Sequence, residues 1–401
     1  MSEKPLLRLH VKSAAESSLR RGHPWLFSDS IIEQNREGIA GELGAVYDKK
    51  NAFLAIGLYD PESPIRLRVL HAGKPKSINQ DWWRVHWNEA LVRRQGLFDE
   101  RTTGYRCING ESDGWPGLVL DRYGDTWVLK IYTAAWLPRL ADVVGLFRES
   151  FPSRGLVLRL SRNIQTAATK ANVVDGQALA GDAPVEPVVF CESGIKFEAD
   201  VVRGQKTGFF LDQRENRREG ERLSAGRAVL NAFSFSGGFS LYAARGGAVR
   251  VDSLDLSSHA LASARNNFSL NEDDTRISSC VHQTIQADAF EWLARGQPAQ
   301  YDLVILDPPS LAIRDSARES ALKGYAVLIR HGVRLLRPGG ILVAASCSAH
   351  VTAAEFLELV RRVSHESGRR AEELLITGHP PDHPATFKEA EYLKCIYLRF
   401  E

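Results

Sequence analysis

Cys347 stands in Ala345-Ser346-Cys347-Ser348, directly after an apolar run that reads as a strand. Leu306-Asp307-Pro308-Pro309-Ser310 follows another such run. Residues just past strand ends of an α/β sheet face its ligand crevice. A thiolate there is a strong nucleophile. Carbon 5 of cytosine or uracil is too poor a nucleophile to take a methyl group directly. Thiolate attack on carbon 6 makes carbon 5 enamine-like and able to accept one. A proton then leaves carbon 5 and the cysteine is eliminated. Pro308 and Pro309 restrict the backbone and offer carbonyls to a base, and Asp307 can bond an amine or ring nitrogen. Sites that methylate exocyclic amines commonly carry a stacking aromatic after the prolines. Ser310 occupies that position, which disfavours amine chemistry. The competing reading of Cys347 is a small apolar residue buried in a strand turn.

A second constellation precedes these. The run Ala228-Val229-Leu230-Asn231-Ala232 enters Phe233-Ser234-Phe235-Ser236-Gly237-Gly238. Glycines let a backbone approach a ligand closely. The loop is not G-x-G-x-x-G, which disfavours a dinucleotide. Asp255 ends the next strand and can accept from ribose hydroxyls; Asp252 lies inside that strand. Asp288, after a third strand, can meet an adenine amine. Candidate cofactor contacts are thus Asn231, Phe233, Ser234, Gly237, Asp255, Asp288 and Asp307. Their order fits S-adenosyl-L-methionine; the alternative is a turn followed by helix-capping acids.

These residues need a parallel sheet to hold them. From about residue 226, strands alternate with helices: strands at 228–232, 249–254, 301–306, 341–345 and 392–400, and helices at 239–245, 258–270 and 353–365, with a long helix ending near Leu336. Such alternation predicts an α/β, mostly parallel sheet covered on both faces. Arg337-Pro338-Gly339-Gly340 should stop the long helix. Upstream, 1–73 reads as a β-rich domain with runs at 44–48 and 53–59. A helix is expected over 81–98, and a hairpin from 117–121 and 127–132. Residues 181–187 read as a linker or edge.

Composition narrows the class. The chain has 401 residues, which favours two or three domains. With 44% hydrophobic residues a large core can form. Net charge is only +2, so any nucleic-acid contact must be a local patch. No apolar run is long enough for a membrane span, and Met1-Ser2-Glu3-Lys4-Pro5 is not followed by a continuous apolar stretch, so no signal peptide is expected. Five scattered cysteines without C-x-x-C spacing argue against a disulfide framework and against a metal site. A reducing cytoplasm is expected, with four of the cysteines serving as small buried residues.

At its motifs the chain resembles bacterial large-subunit ribosomal RNA cytosine-C5 methyltransferases that carry an N-terminal PUA domain. Arg20-Arg21-Gly22-His23-Pro24-Trp25-Leu26-Phe27-Ser28 is similar to the family's PUA opening. Gly110-Glu111-Ser112-Asp113-Gly114-Trp115-Pro116-Gly117 is similar to its middle domain. Lys206-Thr207-Gly208-Phe209-Phe210-Leu211-Asp212-Gln213-Arg214 resembles the segment before the cofactor loop, and Gly324-Tyr325 and Asp382-His383-Pro384 also match. The resemblance covers almost the whole chain. It implies a PUA RNA-binding domain at 1–73, a small α+β middle domain at 74–187 and a class I, Rossmann-like S-adenosylmethionine-dependent methyltransferase domain at 188–401. It implies a ribosomal RNA partner, with a homodimer among the allowed states. It also implies that Thr207, Phe209, Asp212 and Gln213 border the cofactor, with Arg214 serving cofactor or RNA. Substrate contacts are expected from Pro308, Pro309, Ser310, Arg20 and Arg21, with Lys12 close by. A related family that methylates guanine shares the Lys-Thr-Gly and Asp-Gln-Arg segments but lacks the cysteine at 347. Other RNA cytosine-C5 enzymes carry a second cysteine where Ser310 stands, so the carbon-5 proton could pass to Ser310, Asp307 or water. Two further outcomes stay open: methylation of another base such as guanine, and a non-catalytic RNA-binding assembly factor.

Overall fold

The computed structural model describes residues 5–150 and 155–401; the first four residues of the expected non-signal start lie outside them. The chain folds as two compact units. One takes in Met1–Phe190, Ala199–Phe209 and Asp382–Phe387; the other takes in Cys191–Glu198, Phe210–Pro381 and Lys388–Glu401.

The first unit opens with β1 (Leu7–Val11), α1 (Ser13–Arg20), β2 (Trp25–Phe27), β3 (Ile31–Gln34), β4 (Leu43–Tyr47), β5 (Phe53–Tyr59) and β6 (Ile65–Ala72). These strands form one sheet in the order β2-β6-β5-β4-β1-β3, with β1 and β4 parallel. Leu7, Leu9 and Val11 lie at zero exposure at alternate positions of β1, and Val46, Leu58 and Leu67 are equally buried on β4, β5 and β6, where consecutive residues are covered. Then come α2 (Gln80–Val92), β7 (Gly104–Asn109), β8 (Leu118–Tyr123), β9 (Thr126–Ile131), α3 (Leu140–Ser150), β10 (Gly155–Leu160), α4 (Gln165–Lys170) and β11 (Ala178–Gly181). Their strands make a second sheet, β11-β10-β9-β8-β7. Trp87, Trp115 and Trp136 fill its core.

The expected hairpin is present as β8 and β9, turning at Gly124-Asp125. The helix expected over 81–98 stops at Val92. Arg94 leaves the helix to form a two-pronged ion pair with Asp113, at 2.8 and 2.6 Å, and Gly96 adopts φ +75°. That conformation favours glycine and ends a helix.

The second unit is built around the parallel sheet. β12 (Val188–Glu192) and β13 (Ile195–Ala199) form a separate two-stranded sheet whose residues are divided between the two units. Next are α5 (Arg214–Arg222), β14 (Ala228–Ala232), α6 (Gly238–Arg245), β15 (Arg250–Asp255), α7 (Ser258–Ser269), α8 (Thr275–Ser278), β16 (Val281–Gln286), α9 (Ala289–Arg295), β17 (Tyr301–Leu306), α10 (Arg318–Leu335), β18 (Leu336–Ser346), α11 (Ala353–Glu366), β19 (Ala371–Thr377) and β20 (Lys394–Phe400). The sheet order is β16-β15-β14-β17-β18-β20-β19. The first five strands are parallel and β20 is antiparallel to both neighbours. Strand order reverses between β14 and β17, and sheets of this kind bind ligands beyond the carboxyl ends of the strands at such a point. Leu328, Ile329 and Val333 of α10 pack with Phe356, Val360 and Val363 of α11 in the core on one side of the sheet. The stop at 337–340 acts on the helix as expected, but β18 begins at Leu336, before Ile341. Its register against β17 shifts there, and Gly339 takes φ +75°. The last strand starts at Lys394 and not at Tyr392.

All five cysteines are free thiols. Cys107, Cys280 and Cys395 are buried as expected; Cys191 is only partly buried, because β12 alternates between covered and open positions. No described helix is long and apolar enough to cross a membrane. Among the described residues, no cluster of three or more His, Cys, Asp or Glu side chains could hold a metal ion.

His282 shows how tightly this sheet edge is packed. Its ring stacks on Phe268 at 3.7 Å and shares a 2.9 Å hydrogen bond with Ser253. Burial lowers its pKa from 6.5 to about 4, against the opposing pull of Asp252. The unfolded chain therefore binds this proton more readily than the native one. The stability is fully present above the unfolded value and is lost as pH falls from about 6.5 to about 4, by on the order of 3 kcal/mol. His282→Gln should flatten that part of the acid limb in urea melts compared at pH 7 and 4.5. An unchanged slope would assign the acid sensitivity to other groups.

Candidate active site

The loop after β14 is held in an unusual backbone conformation. Phe233, Phe235 and Gly237 have φ of +61°, +48° and +77°. For the two phenylalanines this stores strain, which characteristically accumulates at ligand sites. Gly237 cannot be replaced cheaply: a Cβ there would also meet the Ala264 Cβ at 3.0 Å. The loop is fixed from several sides. Ser234 N–H donates to the Leu254 carbonyl at 3.0 Å, and Asn267 Nδ2 donates to the Ser236 carbonyl at 2.9 Å. Phe210 packs edge-on against Phe235 at 4.9 Å.

At the end of β14 and in this loop, three buried acceptor or hydroxyl atoms have no hydrogen-bond partner among the described residues. They are Asn231 Oδ1, Ser234 Oγ and Ser236 Oγ. Buried orphan atoms cost about 1–3 kcal/mol each, and native proteins carry few of them. Three at one strand end and the loop that follows it fit a polar ligand that approaches the backbone. The other end of the Asn231 amide is committed: Nδ2 donates to Ser240 Oγ at 2.9 Å, and Ser240 bonds Ser253 at 2.7 Å.

Asp255 closes the loop from the end of β15. Its Oδ2 accepts from Phe235 N–H at 2.8 Å, and its Oδ1 accepts from Ser257 N–H at 2.9 Å. An ionised carboxylate has about four acceptor sites, so two further bonds can be made. Asp252 is fully buried and bonds Tyr301 at 2.6 Å and Arg250 at 2.8 and 2.9 Å. It works inside the sheet. Asp288 is exposed and caps α9 through Glu291 N–H at 3.1 Å.

At the end of β17, Asp307 Oδ1 accepts from Gln213 Nε2 at 2.8 Å. Gln213 is held in turn by Asn216 Nδ2 at 2.5 Å, so two separately expected site residues meet across 94 residues of sequence. Asp212 accepts from the Tyr392 hydroxyl at 2.8 Å. Arg214 is fully buried, with its Nε donating to Glu215 at 3.1 Å. Thr207 and Phe209 belong to the first unit. There Thr207 donates to Asp121 at 2.6 Å and bonds Tyr123 at 2.9 Å, and Phe209 packs on Phe190.

Parallel pairing of β17 with β18 aligns Leu306 with Ala344, so both strand ends deliver their motifs to one edge. The partly exposed Cys347 sulfur lies 3.9 Å from the Pro308 carbonyl oxygen. Pro308 is buried, Pro309 exposed and Ser310 intermediate. Ser348 is the hub that ties the two loops together. Its Oγ meets Ser310 Oγ at 3.2 Å and Tyr325 at 2.9 Å, and accepts from Leu311 N–H at 3.1 Å. Ser346 Oγ donates to Tyr325 at 2.9 Å. Sequence reasoning named Tyr325 only through a resemblance and missed Ser236, Ser348 and Lys394. Lys394 carried a legible signal: a single cation inside the apolar run Leu393 to Leu398.

Arg20 and Arg21 close α1 in the first unit. Arg20 pairs with Glu16 and Asp48, both at 3.1 Å, while the exposed Arg21 donates to Ser17 Oγ.

A family model described as S-adenosylmethionine-dependent methyltransferase matches residues 119–399, and a PUA-like domain model matches 9–72. A Deinococcus radiodurans protein named ribosomal RNA large subunit methyltransferase is 56% identical over 407 residues, covering 100% of this chain and 99% of that one. A Shewanella denitrificans protein named ribosomal RNA large subunit methyltransferase I is 34% identical over 404 residues, covering 98% and 99%. Among solved structures, a SAM-dependent methyltransferase from Streptococcus mutans superposes with a TM-score of 0.82 at 26% identity, covering 98% and 99%. SMU.776, a methyltransferase complexed with SAH, gives 0.83 at 26% identity over the same shares. With its PUA-like domain and its α/β catalytic sheet, the chain belongs to the S-adenosylmethionine-dependent ribosomal RNA large subunit methyltransferases.

Proposed function

We propose that the reaction is methylation of carbon 5 of a cytosine in large-subunit (23S) ribosomal RNA, through a transient bond between Cys347 and carbon 6. The observation that carries this reading is the Cys347 thiol, 3.9 Å from the carbonyl of Pro308 in the Asp307-Pro308-Pro309 loop. A base lodged against that loop has the nucleophile beside its ring edge. Asn231, Ser234, Ser236, Gly237, Asp255 and Asp288 would hold S-adenosylmethionine, with Asp307 and Gln213 at the border toward the base. When bound, it supplies an electrophilic methyl group. Cys347 attacks carbon 6, which directs the electron pair of the ring to carbon 5. Loss of the carbon-5 proton restores the double bond, and the thiolate leaves. Asp307, oriented by Gln213, holds the base edge. A cytoplasmic location goes with this reading.

Mapping modified bases in 23S ribosomal RNA from cells with and without the gene tests it. One cytosine should lose its carbon-5 methyl group. A guanine that loses a methyl group would overturn the reading in favour of another base, and an unaltered RNA would point to a binding factor.

The PUA-like domain should contribute phosphate contacts and no chemistry. Arg20 is already neutralised by two carboxylates, so the exposed Arg21 is the better contact. Arg21→Ala should reduce the slope of log K against log salt for RNA by about 0.7–0.9, one contact's share, with methyl-donor affinity unchanged. A slope equal to wild type would remove Arg21 from the interface.

A further inference from the structure

Lys394 is a buried cation with no carboxylate partner. It lies on β20, paired in register with Ser346, the residue before Cys347. Its side chain is 2% exposed. The ammonium donates to the carbonyls of Ser348 and Val351, each at 2.5 Å, and to that of Tyr392 at 3.1 Å. All three of its N–H donors are therefore used, and its orientation is fixed. Among the described residues no Asp or Glu lies within ion-pair distance of it. Carbonyl dipoles satisfy its hydrogen bonds but do not neutralise its charge, and a buried charge without a counter-ion is costly. A role limited to stapling the 348–351 turn would be served by neutral donors.

The ionisable groups around this pocket come from four elements. Tyr325 reaches it from α10, and burial raises that phenol's pKa, so it stays neutral. Cys395, next on β20, is pushed up to about 12 by burial and is neutral as well. Asp212 is engaged by Tyr392, and Asp307 at the end of β17 is bonded by Gln213. Burial lowers the Lys394 ammonium to about 8, and negative charge on Cys347, as the thiolate, opposes that shift.

We propose that Lys394 is the resident counter-cation of the Cys347 thiolate, a positioning residue that keeps the nucleophile ionised near neutral pH. It touches neither base nor methyl donor. Its charge acts on the sulfur through space, from a seat fixed by its register with Ser346 and its bond to the Ser348 carbonyl, the two residues that flank Cys347. The importance of this for turnover rests on Cys347 being the nucleophile, but the ionisation itself does not.

The test is the pH dependence of iodoacetamide alkylation at Cys347 in the full-length protein, read by mass spectrometry of the Cys347 peptide without RNA. In wild type the midpoint should fall below the ~8.5 of an ordinary thiol. Lys394→Met, close in length and uncharged, should move it up by about one unit or more. Alkylation at pH 7 then drops about tenfold and recovers above pH 9. Lys394→Arg should keep most of the wild-type rate. A folded Lys394→Met protein with an unchanged profile overturns the proposal. Should that variant fail to fold, a wild-type midpoint at or above 8.5 overturns it equally. A depressed midpoint that depends on Lys394, in an enzyme whose RNA adduct survives Cys347→Ala, would sustain the counter-cation and reject the nucleophile.

Discussion

Cys347→Ala is expected to lower methyl transfer by ~10,000-fold or more while leaving methyl-donor affinity within about twofold of wild type. The thiol stands at the end of β18, whereas the buried orphan atoms that suit the donor stand at and just after the end of β14. Removing the sulfur deletes a contact to the Pro308 carbonyl and leaves the Ser346-Tyr325-Ser348 network intact. The loss should therefore fall on kcat and not on folding or binding. RNA carrying 5-fluorocytosine gives the sharper readout. After methyl transfer the fluorine cannot leave as a proton does, so elimination stalls and enzyme stays bonded to RNA. Denaturing gels should show a donor-dependent adduct with wild type and none with Cys347→Ala. Retained activity in the variant would sink the carbon-5 route and favour chemistry on another base.

The sheet was legible because its strands are short apolar runs punctuated by turn residues, with helical patterns between them. Residues at strand ends, such as Asp255, Asp307 and Cys347, could be placed from that alone. What could not be placed depends on packing between distant segments. Gln213 meets Asp307 across 94 residues, and no local pattern encodes that approach. Ser348 looks like any small polar residue until two loops and Tyr325 converge on it. The orphan hydroxyls of Ser234 and Ser236 become informative only once burial is known. The interleaving of Ala199–Phe209 and Asp382–Phe387 with the first unit is likewise a matter of tertiary contact. There Asp382 accepts from Arg106 N–H and its carbonyl accepts from Arg94, links that span more than 270 residues.

Asp255→Ala should weaken S-adenosylmethionine binding by at least ~100-fold. Two charge-assisted bonds to ribose hydroxyls, at about 1.5–3 kcal/mol each, amount to roughly 3–6 kcal/mol. A second effect adds to this. The same carboxylate anchors Phe235 N–H, and Phe235 holds φ +48°, a conformation that relaxes once its anchor is gone. Asp255→Asn should fall between wild type and alanine, because the amide keeps one acceptor but turns an N–H donor toward a backbone donor. Calorimetric titration, on protein whose melting is checked separately, decides the matter. Unchanged affinity in a folded alanine variant would remove Asp255 from the site. Asp252→Ala is the contrasting measurement. That carboxylate is fully buried between Arg250 and Tyr301, and its loss leaves a buried hydroxyl unpaired. It should lower stability by about 1–3 kcal/mol while donor affinity holds. Opposite responses of two acids three residues apart on one strand would separate the acid that meets the ligand from the acid that secures the sheet.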